Sequence, residues 1–302
     1  MAPTPTTTAA SRPALAVGLL RLLRPRQWSK NVLVFAAPGA AGVLTEADSL
    51  GATLVALLAF CLAASGTYCL NDASDVEADR LHSTKRNRPV ASGIVPVRLA
   101  QLLGVVLVAS GVLVGFATGS WKLPALTAGY VVLTTSYTLV LKRIAVLDIA
   151  TVAAGFVVRA LAGAVATEVP ISDWFLVVAS FGSLFMVAGK RSAELDHGGD
   201  VAGQRAVLSQ YSTQFLVYVR AVSSGVVLLA YTLFALEKAD VGGGFVWFEL
   251  SIVPFTLAIL RYALRLDQGG GGAPEDIVLG DRVLQALGLV WSVVFALGVY
   301  RS

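Results

Sequence analysis

An all-α, polytopic integral membrane protein is predicted by three observations: 56% of the 302 residues are hydrophobic, 14% are charged, and the mean hydropathy is +0.74. A soluble globule of this length needs more polar surface than that composition supplies. Nine apolar stretches, each near the length that crosses roughly 30 Å of hydrocarbon, predict nine transmembrane helices. They fall at residues 27–45, 49–70, 97–118, 123–141, 145–166, 173–190, 211–236, 246–264 and 281–299.

Residues 1–12 are rich in Thr, Ala and Pro, carry no apolar period, and are expected to be a disordered tail. Residues 13–302 are then one transmembrane catalytic domain. The apolar run at 13–20 is short and leads into Arg21, Arg24, Arg26 and Lys30, unlike a cleavable signal peptide, so the N-terminus is expected to be retained. Alternating the nine spans from a cytoplasmic start places Arg80, Lys85, Arg86, Arg88, Lys142, Arg143, Lys190, Arg191, Arg261 and Arg265 on one side. Only Lys122, Lys238 and Arg301 fall on the other. By the positive-inside rule the first group is cytoplasmic, which predicts a multi-pass protein of the cell's inner membrane with a cytoplasmic active site. The net charge of +4 is explained by this asymmetry, and no nucleic-acid partner is implied. Cys61 and Cys69 lie in one span, eight residues apart, and read as packing residues. The Gly269 to Gly272 run reads as a plain connector.

Two cytoplasmic loops, 71–96 and 190–210, are long and charged, and these are expected to carry the chemistry. The first opens with Asn71-Asp72-Ala73-Ser74-Asp75-Val76-Glu77-Ala78-Asp79. On a helix, Asp72, Asp75 and Asp79 share one face with Asn71 beside them, while Glu77 points away. Three carboxylates on one face suit a hard cation, and magnesium typically takes one or two carboxylates plus substrate phosphates. The competing reading is a solvated acidic helix end. The same loop continues with Lys85, Arg86 and Arg88, which match phosphate oxygens but also obey the positive-inside rule. Tyr68, one turn before Asn71, points toward the same face or simply packs.

The order N-D-x-x-D-x-x-x-D from Asn71 to Asp79, R-P-x-A-S-G from Arg88 to Gly93, and Lys142-Arg143 after Tyr137 resembles the UbiA-type membrane prenyltransferase superfamily over nearly the whole chain. That resemblance implies helices around a central cavity open to lipid, with magnesium held by Asp72, Asp75 and Asp79 above it. Superfamily members that use a lipid diphosphate carry a second D-x-x-x-D motif after the sixth helix. Here that place reads Lys190-Arg191-Ser192-Ala193-Glu194. A basic replacement suits a donor with a further phosphate, although Lys190 and Glu194 also have the spacing of a helix-end salt bridge. Together with Arg24 to Asn31, this variant resembles the superfamily's phosphoribosyltransferase branch, which builds the lipid-linked arabinose donor of mycobacterial walls. The resemblance implies phosphoribosyl pyrophosphate as donor and decaprenyl or another polyprenyl phosphate as acceptor. An acceptor phosphate that is already anionic needs no strong base, which agrees with a chain whose only histidines are His82 and His197.

The acceptor's phosphate is expected at the cytoplasmic rim, near Lys30, Asn31, Lys142 and Arg143. Arg159, 11 residues beyond Asp148 inside the fifth span, either holds a substrate phosphate or forms a structural pair. The rival readings are a prenyltransferase acting on an aromatic or haem acceptor, and a transporter, which would call for more intramembrane breaks and charges than Pro254 and Arg159. Homo-oligomerisation is left open by the sequence.

Overall fold

The computed structural model describes residues 12–196, 207–241, 246–269 and 274–301. Residues 1–11 of the expected tail, the middle of the 190–210 loop with His197, and most of the glycine connector lie outside the described residues. Every regular element among the described residues is helical. In chain order these are α1 (Arg12–Leu23), α2 (Ala36–Ala40), α3 (Ala47–Ser74), α4 (Val76–Leu81), α5 (Val97–Val114), α6 (Lys122–Leu139), α7 (Leu147–Thr167), α8 (Asp173–Asp196), α9 (Thr213–Val241), α10 (Trp247–Asp267), α11 (Pro274–Gly280) and α12 (Arg282–Arg301).

Seven helices among the described residues are long and apolar enough to cross a membrane: α3, α5 with its extension to Thr118, α7, α8, α9, α10 and α12. Two of the nine expected spans fall short, for different reasons. Helix α6 is in place, but Lys122, four threonines and two tyrosines lower its hydropathy. The stretch at 27–45 is no continuous α-helix: residues Pro25–Phe35 form 3₁₀ turns, followed by the five-residue α2. Pro38 lacks the N–H that would close an α-turn onto Val34. Helix α7 approaches that carbonyl so closely that a Cβ at Gly163 would lie 1.7 Å from it. Only glycine fits there, and the approach converts a broken span into a packed one.

Of the described residues, those up to Val32 together with Leu57–Val131 form one compact unit, and Leu33–Ala56 with those from Val132 onward form another. In the first unit α3 and α5 meet along small residues: a Cβ on Gly66 would stand 2.7 Å from the Gly104 carbonyl, and one on Gly111 would stand 2.7 Å from that of Ala59. Such contacts suit a membrane interior, where association rests on close packing because lipid is as apolar as protein. The opposite side of α5 leaves Leu102, Val105, Val106 and Leu113 exposed, an apolar surface suited to lipid. Leu22, Val90 and Val95 are fully or almost fully buried in a cluster with Cys69, Ala73 and Ala100. Each such side chain stabilises by about 1.5–3 kcal/mol, which fixes the 89–95 segment, and so Arg88, against the end of α3.

In the second unit α7 carries a buried stripe of Ala153, Ala160, Ala162, Gly163, Ala164 and Ala166. Helices α9, α10 and α12 share an aromatic cluster in which Trp291 donates to the Tyr231 hydroxyl, itself 2.6 Å from Ser251 Oγ.

Candidate active site

The acidic segment lies at the C-terminal end of α3, where the helix dipole makes carboxylates unfavourable unless cations compensate. Two arginines do so. Arg24 Nη2 donates to Asp72 Oδ1 at 2.7 Å, and Arg88 Nη1 reaches both Asp72 Oδ1 at 3.1 Å and Asp79 Oδ2 at 2.7 Å. The helix is interrupted at Asp75 (φ −91°, ψ 8°), yet Asp75 N still bonds Asn71 O and Asp79 N bonds Asp75 O. Helical rise therefore continues nearly unbroken, which brings Asp72 and Asp79 to one guanidinium. Both aspartates are buried, at 2% and 4% exposure, which does not fit the competing reading of a solvated acidic helix end. Asp75 is half-buried, and Asn71 supplies its carbonyl to Asp75 N and to Ser74 Oγ.

Arg24 is held by strain and by stacking. It adopts φ 52°, an uncommon left-handed conformation for a side-chain-bearing residue, where α1 ends before Pro25. Its guanidinium stands 4.7 Å over the Tyr68 ring. Trp28 Nε1 donates to Ser65 Oγ, which donates to the Leu23 carbonyl, so the segment after α1 is tied to α3. Arg24 was legible only as part of a basic motif; its partner lies 48 residues away. Lys85 is half-buried and Arg86 exposed in a single 3₁₀ turn beside this cluster. His82 Nδ1 accepts from the Thr84 and Lys85 amides, which leaves the ring proton on Nε2, a buried atom without a partner. Asn31 is fully buried and donates to Cys61 Sγ; Lys30 is half-buried and bonds Gln27. A cleft of about 380 Å³ lined by α1 residues, Asn87, Pro89 and Ile94 lies beside the acidic cluster and includes none of its carboxylates.

The second unit holds a different charged site. Arg191 grips Asp148 with a fork, Nε to Oδ2 at 2.6 Å and Nη2 to Oδ1 at 3.0 Å, and its Nη1 meets Glu194 at 2.8 Å. Tyr137 donates to Asp148 Oδ1 at 2.9 Å and accepts from Arg191 Nη2 at 3.3 Å. Val146, two residues before Asp148, has φ 68° and ψ −48°, a strained geometry for a β-branched residue, and its N–H donates to the Tyr211 hydroxyl at 2.8 Å. Burial raises the Tyr211 pKa, so this hydroxyl stays protonated near neutrality. Arg191 was expected to grip phosphate; here all three of its nitrogens are committed to protein acceptors. Asp148 passed as a minor residue in the sequence because nothing local marks its partner. Lys142 is half-buried and Arg143 exposed in one 3₁₀ turn, and Lys190 is half-buried on α8. Arg159 is buried and donates to the Gly155 carbonyl of its own helix, 6.0 Å from the Phe156 ring.

Residues 32–276 match the UbiA prenyltransferase family. The chain belongs to that family. As a UbiA protein it is an integral membrane transferase, with a described pattern of helices and no strand among the described residues. It is 44% identical to the decaprenyl-phosphate phosphoribosyltransferase of Corynebacterium glutamicum over 95% of this chain and 88% of that protein. Against the enzyme of the same name from Mycobacterium tuberculosis it is 45% identical over 92% of both. A UbiA homolog from Archaeoglobus fulgidus, solved with GPP and Mg2+, shares the fold at a TM-score of 0.71 and 18% identity, covering 93% of this chain and 98% of that one.

Proposed function

We propose that this chain transfers the 5-phosphoribosyl group of phosphoribosyl pyrophosphate to decaprenyl phosphate or another polyprenyl phosphate, releasing pyrophosphate. The observation that carries this reading is identity of 44–45% to decaprenyl-phosphate phosphoribosyltransferases along nearly the whole chain. In the reaction an acceptor phosphate oxygen forms a bond to the anomeric carbon, and the bond from that carbon to the diphosphate oxygen breaks, its electron pair leaving with pyrophosphate. The acceptor attacks as an anion, so no residue is required to remove a proton.

Asp72, Asp75 and Asp79 are the residues that would hold magnesium. Among the described residues no three His, Cys, Asp or Glu side chains converge on a metal-sized site. The ion would therefore take one or two of these carboxylates at a time, rather than all three together, and complete its shell with diphosphate oxygens. When bound, magnesium supplies charge stabilisation of the departing diphosphate. Arg24 and Arg88 neutralise the aspartates in the absence of donor and offer the forked, charge-assisted hydrogen bonds that a diphosphate accepts. Tyr68 orients Arg24 by stacking. Lys85, Arg86 and Asn71 flank the donor, and Lys30, Lys142 and Arg143 draw the anionic acceptor toward the membrane surface. Magnesium dependence, the cytoplasmic placement of this site and residence in the inner membrane are part of the proposal; the first is supported by the aspartate cluster and by the Mg2+ bound to the Archaeoglobus fulgidus UbiA homolog, the second by the basic residues gathered in the same loops.

The purified protein, magnesium, phosphoribosyl pyrophosphate labelled in the ribose, and decaprenyl phosphate should yield a lipid-soluble phosphosugar, abolished by a chelator. Label that stays water-soluble, with product formed instead from a polyprenyl diphosphate and an aromatic acceptor, would sink the proposal.

A further inference from the structure

The reaction proposed above brings three phosphate groups to the protein: the donor's diphosphate, the donor's 5-phosphate and the acceptor's phosphate. The diphosphate matches the aspartate and arginine cluster at the end of α3. The other two are phosphate monoesters, and Arg191 is committed to Asp148, Glu194 and Tyr137.

A second arginine of the same unit is placed differently. Arg220 lies seven residues after Thr213 in α9, about 10 Å along the helix axis at 1.5 Å per residue. Leu216, Ser223, Val227 and Ala230 are buried on the same face of α9, while Val217, Tyr218 and Val222 are exposed on the other. Arg220 therefore sits on the inward face, and it remains partly accessible there. Its Nε is buried without a hydrogen-bond partner, and so is the Oγ of Ser223, one turn further along. Positions three apart are neighbours on a helix surface. Other buried or half-buried arginines find acceptors: Arg191 meets two carboxylates, Arg88 meets two, Arg261 meets Asp281, and Arg159 donates to the Gly155 carbonyl. No carboxylate is paired with Arg220 among the described residues.

An ionised side chain inside a membrane helix is costly and persists where it faces the protein interior and serves a ligand or a partner. Two adjacent orphan donors, one cationic and one neutral, lack an acceptor, and an anionic oxygen supplies one. We propose that Arg220 and Ser223 form a phosphate-monoester site on the inward face of α9. The naming of its ligands as the acceptor's phosphate or the donor's 5-phosphate rests on the phosphoribosyl-transfer reading; the site itself rests on the two orphan donors.

The test uses the full-length protein in nanodiscs, with Arg220→Gln, Arg220→Lys and Ser223→Ala. Binding of farnesyl phosphate and of ribose 5-phosphate is measured by calorimetry, alongside the KM for decaprenyl phosphate and for phosphoribosyl pyrophosphate. Arg220→Gln should weaken one monoester by about tenfold or more, the scale of a lost charge-assisted hydrogen bond, and raise the matching KM alone. Arg220→Lys should recover part of the loss, and Ser223→Ala should show a smaller loss of the same ligand. Whichever monoester responds identifies the source. Binding and both KM values within twofold of wild type in folded Arg220→Gln, or no binding of either monoester to wild type, would overturn the site. Should Arg220→Gln fail to fold, Ser223→Ala decides by the same criterion. Wild-type protein that binds a monoester but transfers no phosphoribose would refute the function and leave the site standing.

Discussion

The clusters at Asp72 and at Asp148 use the same chemistry, an aspartate facing guanidinium nitrogens near the end of a long apolar helix, and they differ in access. At Asp148 both partners are sealed, with side chains 0% and 2% exposed, and the fork is matched atom for atom. At Asp72 the carboxylate is sealed, but Arg24 and Arg88 are each 27% exposed, and Asp72 Oδ1 is shared between them. A sealed pair gains nothing from a ligand, because its charges are already satisfied. A pair whose cations still touch solvent can exchange a carboxylate for an incoming phosphate at modest cost. The first arrangement is built to hold α7 and α8 together, the second to change partners.

The largest effect should come from breaking the sealed pair. Arg191→Met leaves Asp148 buried without its cation, and removal of one partner of a buried pair costs about 3–5 kcal/mol. Thermal unfolding in detergent should show a large drop or loss of folded protein, with no selective change in donor KM. A stable Arg191→Met protein with a raised donor KM would move Arg191 into the substrate site and dissolve the contrast.

Asp72→Asn tests the open cluster. Its arginines reach water, so unfolding should shift little, while kcat/KM for phosphoribosyl transfer should fall at least 100-fold, a loss of about 2.7 kcal/mol in transition-state stabilisation. Near-normal turnover at saturating magnesium would remove Asp72 from the active site.

The smallest effect sharpens the comparison through a third pair. Asp281, just before α12, accepts from Arg261 at 2.8 and 3.0 Å and from the Leu284 amide, and these hold its carboxyl below the ordinary carboxylate range. A lowered folded pKa contributes stability that is present above the unfolded value, about 3.9, and is lost as pH falls through the folded value. The difference in melting temperature between wild type and Asp281→Asn should therefore be constant near neutrality and shrink on acidification below about pH 4. A difference that does not change with pH would assign Asp281 a packing role only.

Much of the fold was legible in the sequence because hydrophobic length is a local property. The span expected at 97–118 is Val97–Thr118, and the one expected at 211–236 is the core of α9. The segment at 27–45 was misread as a helix because its apolar content outweighed Pro38 and Gly39 in a hydropathy reading, although those residues were in view. The acidic segment stood out in the sequence by the density and spacing of its carboxylates. Their burial and their arginine partners were not legible there, and neither was the role of Asp148, whose partner is 43 residues away.

The sequence by itself determined the class of protein, the approximate spans, the family and the acidic segment, since each rests on composition or on residues within a turn or two of one another. The tertiary structure alone decided which arginine is sealed and which is open. Helix rotation and depth, summed over tens of residues, set whether a guanidinium meets a carboxylate, as at Arg191, or faces inward unmatched, as at Arg220.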